Sequence, residues 1–259
     1  MNGLLDRIVA AKRRAHAERK PVLPATLWHD VVVRSDARPL AMALRKPGRQ
    51  LRVIAEFKRR SPSAGEIRPG ADPAAIAGEY AAAGASALSV LTDGEFFGAE
   101  PGDLGRAQQA CALPVLRKDF LLDERDLLET RIAGADAALL IVRLLPEPLL
   151  SALIEVGERA GLSLLVEAHT DAEVETALRA GAQIIGVNHR DLDTLTIDLQ
   201  LSARARKLAG SGPILVGESG IGTAEHMALM VEHGVDAVLV GESLLRSPSP
   251  GAKLRELLA

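Results

Sequence analysis

The 259-residue sequence has little of several features that would point to particular classes of protein. It contains one cysteine, Cys111, so no internal disulfide can form, and a reducing compartment, the cytoplasm, is the simplest expectation. Aromatic residues make up 2% of the chain and the net charge is −3, so neither base-stacking surfaces nor a basic face is indicated. No apolar run approaches the ~20 residues of a membrane span. Nucleic acids and membranes are therefore not expected partners.

Signatures of metal and nucleotide binding are also missing. The histidines that lack the spacing of metal ligands are His16, His29, His226 and His233. Neither GxxxxGKS/T nor GxGxxG follows the first predicted strand, which argues against a bound nucleotide. The sequence therefore predicts no metal site and no nucleotide cofactor.

A repeated pattern runs through most of the chain. Four segments each end a helix-like stretch with a glycine and continue into an apolar run: AAAGASALSVLT, RIAGADAALLIV, LRAGAQIIGVN and VEHGVDAVLVGE. The glycines are Gly84, Gly134, Gly181 and Gly234. They suit the C-terminal caps of helices, because glycine accepts positive φ without steric cost. Further apolar runs lie between these segments, around residues 51–57, 113–120, 162–168 and 212–218.

These runs predict eight strands that alternate with helices. Continuous apolar runs are typical of strands buried on both faces, and strict alternation requires parallel pairing through crossovers. Eight strands favour a closed barrel over an open doubly wound sheet, which uses about five or six. The prediction is an α/β fold, a (β/α)8 TIM barrel. Residues 1–259 form one domain, with 1–50 as an N-terminal helical extension broken by prolines such as Pro47.

Polar residues follow the predicted strands, at the end of the barrel where such enzymes build their chemistry. Three pairs have i, i+2 spacing: Glu56 with Lys58, Glu167 with His169, and Asn188 with Arg190. Residues two apart on a strand project to the same side, so if one member faces the barrel axis, the other does too. Because buried charge needs partners, the alternative to an active site is a structural layer of salt bridges. His169 is interpreted as orienting a neighbour, with catalysis as the alternative.

Two glycine-containing loops follow the last two predicted strands, GESGIGTAEH and VGESLLRSP. Barrel enzymes often bind phosphate at these positions, with help from the N-terminus of a short helix. Gly220, Gly222 and Gly241 let the backbone approach an anion closely, and Ser219 adds a hydroxyl group. The loops therefore predict a phosphate-binding site.

The segment IAEFKRRSPSAGEI resembles the first-strand signature of indole-3-glycerol phosphate synthases, E-x-K-x-x-S-P-S. The segments LTDGEFFGA, PVLRKDFLLD, LLVEAHT, GVNHRDL, GESGI and VLVGESLL are similar to the family's other strand-end motifs, in the same order. The resemblance spans residues 51–259 and extends to the helical N-terminal segment. Each motif alone is weak, and their occurrence together is highly specific.

The resemblance implies an enzyme of tryptophan biosynthesis. Family members cyclise 1-(2-carboxyphenylamino)-1-deoxyribulose 5-phosphate and release carbon dioxide, water and indole-3-glycerol phosphate. They use no cofactor and no metal. A phosphorylated small molecule is therefore the expected partner, and a monomeric cytoplasmic enzyme is the expected form.

Residue roles are carried over from the family by the same resemblance. Lys118 is expected to be the general acid that protonates the substrate's keto oxygen, and Glu167 the general base. Lys58 is expected to assist dehydration or stabilise charge, while Glu56 and Asn188 hold these groups and the substrate's hydroxyls. The expected substrate-binding residues are Ser61 near the carboxylate, Phe97 and Phe120 at the anthranilate ring, and Arg190, Glu218, Ser219, Gly220, Gly241 and Glu242, the last through its backbone.

Three other functional interpretations of the same residues are left open by the sequence alone. Phosphoribosylanthranilate isomerase is also a phosphosugar barrel, but that family has a cysteine base at the first strand, where this chain has Glu56 and Lys58. A non-catalytic phosphate-binding barrel needs the last two loops without a Lys118 and Glu167 pair. A lysine on a strand also suits an aldolase that forms a Schiff base.

Overall fold

The computed structural model describes residues 3–22, 24–32, 38–45, 51–191 and 194–259. Pro47 lies outside these ranges, so the helical extension predicted over residues 1–50 is described only in part. None of the helices in the described ranges is long and apolar enough to span a bilayer.

Parallel strands close into a barrel, as the sequence predicts. In chain order the strands are β1 (Arg52–Phe57), β2 (Ala87–Leu91), β3 (Val115–Lys118), β4 (Ala137–Ile141), β5 (Ser163–Ala168), β6 (Ile184–Asn188), β7 (Ile214–Glu218) and β8 (Ala237–Val240). Each strand pairs with its neighbours in sequence, and β1 pairs with both β2 and β8. The predicted (β/α)8 barrel and the order of its eight strands are therefore confirmed.

Helices connect the strands and surround the barrel. They are α1 (Leu4–Ala17), α2 (Pro24–Val32), α3 (Leu40–Leu44), α4 (Pro73–Ala82), α5 (Gly94–Phe97), α6 (Asp103–Gln109), α7 (Glu124–Ile132), α8 (Glu147–Arg159), α9 (Asp171–Arg179), α10 (Leu201–Ala209), α11 (Ala224–Glu232), α12 (Glu242–Arg246) and α13 (Pro250–Leu258). A small hairpin, Arg60–Ser61 with Gly65–Glu66, follows β1. The four predicted capping glycines have φ between 72° and 104°, a conformation that favours glycine.

Apolar side chains fill the inside of the barrel. Ile54, Leu116 and Leu165 belong to this interior cluster, and Leu40 and Leu44 of α3 pack against it. The backbone N–H of Leu40 donates to Oγ of Ser163, the first residue of β5, at 3.1 Å. Because β5 starts at the N-terminal end of the barrel, α3 covers that end. Burial of each leucine side chain stabilises the folded state by about 1.5–3 kcal/mol. The packing of Leu40 and Leu44 therefore holds α3 across this end, opposite the C-terminal mouth.

The helices before β1 contact the barrel at several places. Lys12 of α1 forms ion pairs with Asp93 at 3.0 Å and with Asp119 at 2.6 Å, just beyond the ends of β2 and β3. Burial opposes the charge on Lys12, but the two carboxylates outweigh burial and raise its pKa. Leu27 of α2 packs with Leu128 of α7. Helix α1 therefore lies at the C-terminal mouth, and α2 lies along the side of the barrel.

Candidate active site

A cavity of about 440 Å³ opens at the C-terminal mouth, a volume typical of small-molecule sites. Every residue that the sequence assigns to catalysis or to substrate binding lines it. On the side of β1 to β5 these are Glu56, Lys58, Ser61, Phe97, Lys118, Phe120 and Glu167. On the side of β6 to β8 they are Asn188, Arg190, Glu218, Ser219, Gly220, Gly241 and Glu242. The barrel therefore brings these residues together around one space.

Lys118, the last residue of β3, lines the cavity and brings an ammonium group to it. Its Nζ lies 2.7 Å from Oε2 of Glu167 on β5 and 3.1 Å from Oε2 of Glu218 on β7. Burial opposes the charge on this ammonium, but the carboxylates of Glu167 and Glu218 outweigh burial and raise the pKa of Lys118. Lys118 is therefore charged at neutral pH and is a ready hydrogen-bond donor. The sequence groups Glu218 with substrate binding, and the structure adds that its carboxylate faces Lys118.

The two carboxylates beside Lys118 have pKa values pushed in opposite directions. Burial, opposed by Lys118 and reinforced by the charge of Glu167, raises the pKa of Glu218 to about 8. Burial also disfavours the charge on Glu167, but Lys118 and His169 outweigh it and hold the pKa of Glu167 well below its usual range. Pairs of acids separated in this way are typical of sites that divide acid and base roles. Glu167 therefore stays ionised, as a general base requires.

Asn188, at the end of β6, connects Glu167 to the last loops of the barrel. Its Nδ2 donates to Oε1 of Glu167 at 3.2 Å, and its Oδ1 accepts from Oγ of Ser219 at 2.8 Å. The same Oδ1 accepts from the backbone N–H of Arg190 at 3.1 Å. These bonds fix which way the amide of Asn188 points. Asn188 therefore holds one oxygen of Glu167 in place while it positions the loop that follows β7.

Glu56 and Lys58 leave β1 on the same side, as their spacing predicts. Nζ of Lys58 lies 2.5 Å from Oε1 of Glu56, whose side chain is buried. The other oxygen of Glu56 accepts from Oγ of Ser89 at 3.4 Å. A Cβ added at Gly241 would lie 2.7 Å from Oε1 of Glu56, so the close approach of β8 requires a glycine. This pair places a second cation in the cavity beside Gly241.

The loops after β7 and β8 form the part of the cavity predicted to hold phosphate. Ser219 and Gly220 have φ of 66° and 74°, and a left-handed backbone is uncommon for serine. Gly241 precedes the short helix α12, which begins at Glu242, so backbone N–H groups at its first turn have no partner within the helix. Such groups favour a bound anion, and Arg190, a cation, also lines the cavity. The geometry suits a phosphate group.

The wall opposite these loops is apolar and aromatic. The ring centroids of Phe97 and Phe120 are 6.2 Å apart, with an angle of 36° between the rings. Leu91 and Ile141 line the cavity with them, and Ser61 places a hydroxyl group nearby on the cavity wall. This side of the cavity therefore suits a planar aromatic ring that carries a polar substituent.

Some cavity residues are not identified by the sequence reasoning. Leu5 and Ile8 of α1 line the cavity, although the sequence predicts only that they belong to the helical extension. Arg246 also lines it, and its Nη2 donates to the carbonyl of Ala64 at 3.0 Å. The same arginine pairs with Glu242 at 3.0 Å, so it ties the loop after β1 to α12. A basic residue inside VGESLLRSP is the only sequence signal for Arg246.

Gly186→Ala is expected to disturb the cluster around Lys118. A Cβ at Gly186 would lie 2.1 Å from Oε1 of Glu218, so the carboxylate must move. We expect kcat to fall by up to about a hundredfold, since 1 Å of misplacement can cost that much. Overpacking should also lower the free energy of unfolding by about 1–3 kcal/mol. Steady-state kinetics and denaturant unfolding measure both effects.

Gly78→Ala is the matched control, because Gly78 lies within α4 and an added Cβ there would have nothing within 4 Å. It should leave kcat unchanged and raise the free energy of unfolding by up to about 1 kcal/mol. Wild-type kcat and stability in Gly186→Ala would contradict the close contact between β6 and Glu218.

The fold and the cavity together define a class of protein. The cavity places a charged lysine, an ionised carboxylate and loops suited to an anion at the C-terminal mouth of a parallel barrel, where TIM-barrel enzymes carry their chemistry. The class is a TIM-barrel enzyme that acts on a phosphorylated small molecule.

Comparison with known proteins gives the family. The family model described as indole-3-glycerol phosphate synthase matches residues 5–257. Indole-3-glycerol phosphate synthase 2 of Streptomyces coelicolor is 46% identical over 259 residues and is covered over 100% of both chains. Indole-3-glycerol phosphate synthase of Dehalococcoides mccartyi is 45% identical over 258 residues, 98% of this chain and 100% of the relative. The chain belongs to the indole-3-glycerol phosphate synthase family.

The fold of this chain is also similar to that of a solved structure with a different name. Thiamine phosphate pyrophosphorylase from Pyrococcus furiosus superimposes with a TM-score of 0.59 at 15% sequence identity. The similarity covers 81% of this chain and 94% of that structure. At this level of identity the match concerns the barrel fold alone.

Proposed function

We propose that this chain converts 1-(2-carboxyphenylamino)-1-deoxyribulose 5-phosphate into indole-3-glycerol phosphate, the carboxy-lyase step of tryptophan biosynthesis. Membership of the family supports this proposal directly. The single structural observation that carries it is the ion pair of Lys118 with Glu167, at 2.7 Å, on the wall of a cavity that also holds Arg190 and the loops after β7 and β8. An acid and a base thus share one space with a phosphate site.

Lys118 is proposed to act during ring closure. The ring carbon that bears the carboxylate attacks the keto carbon, and the electrons of the carbonyl bond move to oxygen. The ammonium of Lys118 stabilises this charge and donates a proton to the oxygen. An alkoxide is a stronger base than an amine, so the transfer is favourable even with the raised pKa of Lys118. Loss of carbon dioxide then returns an electron pair to the ring and restores its aromaticity.

Glu167 is proposed to act during dehydration. The former keto oxygen must leave as water, while a proton leaves the neighbouring carbon to form the double bond of the indole. The ionised carboxylate of Glu167 takes that proton, and Lys58 assists departure of the hydroxyl group. Asn188 and Glu56 hold these two groups through the hydrogen bond to Glu167 and the ion pair with Lys58. Acid and base therefore come from different strands of the mouth.

The raised pKa of Lys118 bears on the Schiff-base alternative. An imine forms from a neutral amine, which is why lysines with that role have lowered pKa values. Burial alone lowers the pKa of Lys118, but Glu167 and Glu218 reverse the direction. Proton donation by Lys118 therefore fits its environment better than covalent chemistry does.

The substrate's two ends are proposed to bind on opposite walls. The phosphate group lies at Ser219, Gly220, Gly241 and the backbone of Glu242, with Arg190 beside it. The anthranilate ring lies between Phe97 and Phe120, with its carboxylate near Ser61. This orientation places the keto carbon between the two ends, next to Lys118.

Arg190→Ala is expected to raise KM by about tenfold or more and to change kcat little. The guanidinium contacts phosphate equally in the ground state and the transition state, so its loss weakens uniform binding. A charge-assisted hydrogen bond contributes about 1.5–3 kcal/mol, which corresponds to that range. Initial rates over a series of substrate concentrations separate the two parameters.

Arg204→Ala is a suitable control, because Arg204 is an exposed arginine on α10 whose partners are Asp171 and Asp198. It should leave KM unchanged. A fall in kcat with unchanged KM in Arg190→Ala would place that guanidinium at the reacting centre instead.

A fluorescence assay tests the proposed function. The purified chain is mixed with 1-(2-carboxyphenylamino)-1-deoxyribulose 5-phosphate, and the appearance of indole fluorescence is followed with release of carbon dioxide. Both should appear in equal amounts. In a parallel mixture with phosphoribosylanthranilate, isomerisation without indole formation would favour the isomerase, and binding of 1-(2-carboxyphenylamino)-1-deoxyribulose 5-phosphate without turnover would favour a binding protein.

The proposal includes a form and a location for the enzyme. Residues 1–259 are proposed to act as one monomeric domain in the cytoplasm, with residues 1–50 as an extension of the barrel. Contacts of α1 at the mouth, through Lys12, and of α3 at the floor, through Leu40, support a single unit. Light scattering in solution tests the monomer, and a mass of two chains would contradict it.

A further inference from the structure

His169 lies two residues beyond Glu167, just after β5, and its imidazole is only 1% exposed. Its Nε2 is 3.2 Å from Oε1 of Glu167, whereas Lys118 contacts the other oxygen, Oε2. The contact is close enough for an ion pair but is not aligned as a hydrogen bond. His169 is therefore linked to the proposed base by both its charge and the position of its Nε2.

The other side of His169 faces a second carboxylate. Its Nδ1 is 3.3 Å from Oε2 of Glu173 on α9, and its backbone N–H donates to the same oxygen at 2.7 Å. Oε1 of Glu173 pairs in turn with Nε of Arg143 at 3.1 Å. Charges of opposite sign therefore alternate from the edge of the barrel into the cavity: Arg143, Glu173, His169, Glu167 and Lys118.

We propose that His169, held as an imidazolium by Glu173, is a positioning residue that orients Glu167 and keeps its carboxylate ionised. The inference rests on the proposed role of Glu167 as the general base and adds the group that holds it. His169 lies behind Glu167 and is not among the residues that line the cavity.

The imidazolium of His169 has a role in the proposed reaction. When Lys118 donates its proton to the substrate, it becomes a neutral amine, and Glu167 loses the charge that contacts Oε2. An imidazolium at Oε1 keeps compensating the carboxylate at that moment. Burial opposes the charge of His169, but Glu167 and Glu173 raise its pKa to about 9, so the imidazolium persists at neutral pH. The base is therefore ionised when dehydration begins.

Other charged or titratable groups lie around His169 and Glu167. On the cavity side are Lys118 of β3 and Glu218 of β7. On the outer side is Arg143, in the turn after β4, whose charge lowers the pKa of His169 but is itself paired with Glu173. Within the described residues, Glu167 and Glu173 are the carboxylates in ion-pair contact with the imidazole. Removing either one should change the charge state of His169.

Two substitutions at the same position separate the effects of charge and contact. His169→Gln keeps a nitrogen near the place of Nε2, and His169→Asn keeps one near the place of Nδ1, while neither is charged. The pKa of Glu167 should rise in both, which moves the acidic limb of the kcat–pH profile to higher pH. On the plateau above that limb, Gln should keep most of kcat, whereas Asn should lose about tenfold or more.

A merely structural histidine would give another result. Both variants would then lose thermal stability, with the acidic limb at the wild-type pH and equal plateau values. An unmoved acidic limb in both variants overturns the proposal.

A second test needs no turnover. The imidazole of His169 is followed by NMR titration of its labelled Cε1 carbon in the wild type and in Glu173→Gln. The wild-type resonance should titrate near pH 9, and loss of the outer carboxylate should lower that midpoint. Glu175→Gln, an exposed change on the same helix, should leave it unmoved.

The outcomes distinguish this inference from the proposed function. An absence of indole formation by the wild type defeats the function, while the titration of His169 can still be read. Full indole formation with a wild-type midpoint near the ordinary value for histidine defeats the inference alone.

Discussion

Lys118→Ala is expected to lower kcat by about 10²–10⁴-fold while KM changes little. The reason is that the ammonium acts on charge that develops at the keto oxygen during ring closure, and not on the bound ground state. Its removal also leaves Glu167 and Glu218 facing each other without the cation that separates them, so the pKa of Glu167 should rise. Steady-state kinetics with the fluorescence of indole-3-glycerol phosphate measure the loss.

The same variant makes a prediction about the order of events. Because ring closure precedes loss of carbon dioxide, the rate at which labelled carbon dioxide is released from the carboxylate should fall in parallel with the rate of indole formation. Lys207→Ala changes an exposed lysine of α10 and should leave both rates unchanged. Near-wild-type turnover by Lys118→Ala would show that another group donates the proton.

Glu167→Gln is expected to lower indole formation by about 10²–10⁴-fold, because glutamine has the same shape as glutamate but cannot take a proton. The effect should fall on dehydration. In a single turnover, labelled carbon dioxide should therefore be released faster than indole fluorescence appears, and the ring-closed, decarboxylated intermediate should accumulate. Rapid quenching of the reaction detects it.

The matched control for Glu167→Gln is the same change at an exposed glutamate. Glu155→Gln alters an exposed glutamate of α8 and should release carbon dioxide and form indole at wild-type rates. If Glu167→Gln slows both signals equally, the carboxylate acts at or before ring closure, and the division of roles between Lys118 and Glu167 is wrong.

Much of the fold is predictable because the barrel repeats one simple unit. Each strand is a short apolar run after a glycine or a turn, so its identity depends on local sequence. The polar residues that end these runs, such as Glu56, Lys118 and Glu167, are then placed at one mouth by topology alone. That is why the predicted site residues lie around one cavity.

Other features depend on contacts between distant parts of the chain, and periodicity does not encode them. Helix α1 is amphipathic, but nothing in its pattern says that Leu5 and Ile8 reach the cavity. Glu218 follows an apolar run like other strand-end residues, and only the closure of the barrel sets its carboxylate against Lys118. The pKa separation of Glu167 and Glu218 arises from this shared cation, so it is a property of the fold.

A crystal structure with indole-3-glycerol phosphate bound tests the central claim most directly. Its phosphate should accept hydrogen bonds from backbone N–H groups at Gly220 and Glu242, with Lys118 and Glu167 on either side of the newly formed indole bond. A phosphate seated elsewhere, or an indole ring beyond the reach of Lys118 and Glu167, would contradict the proposed site.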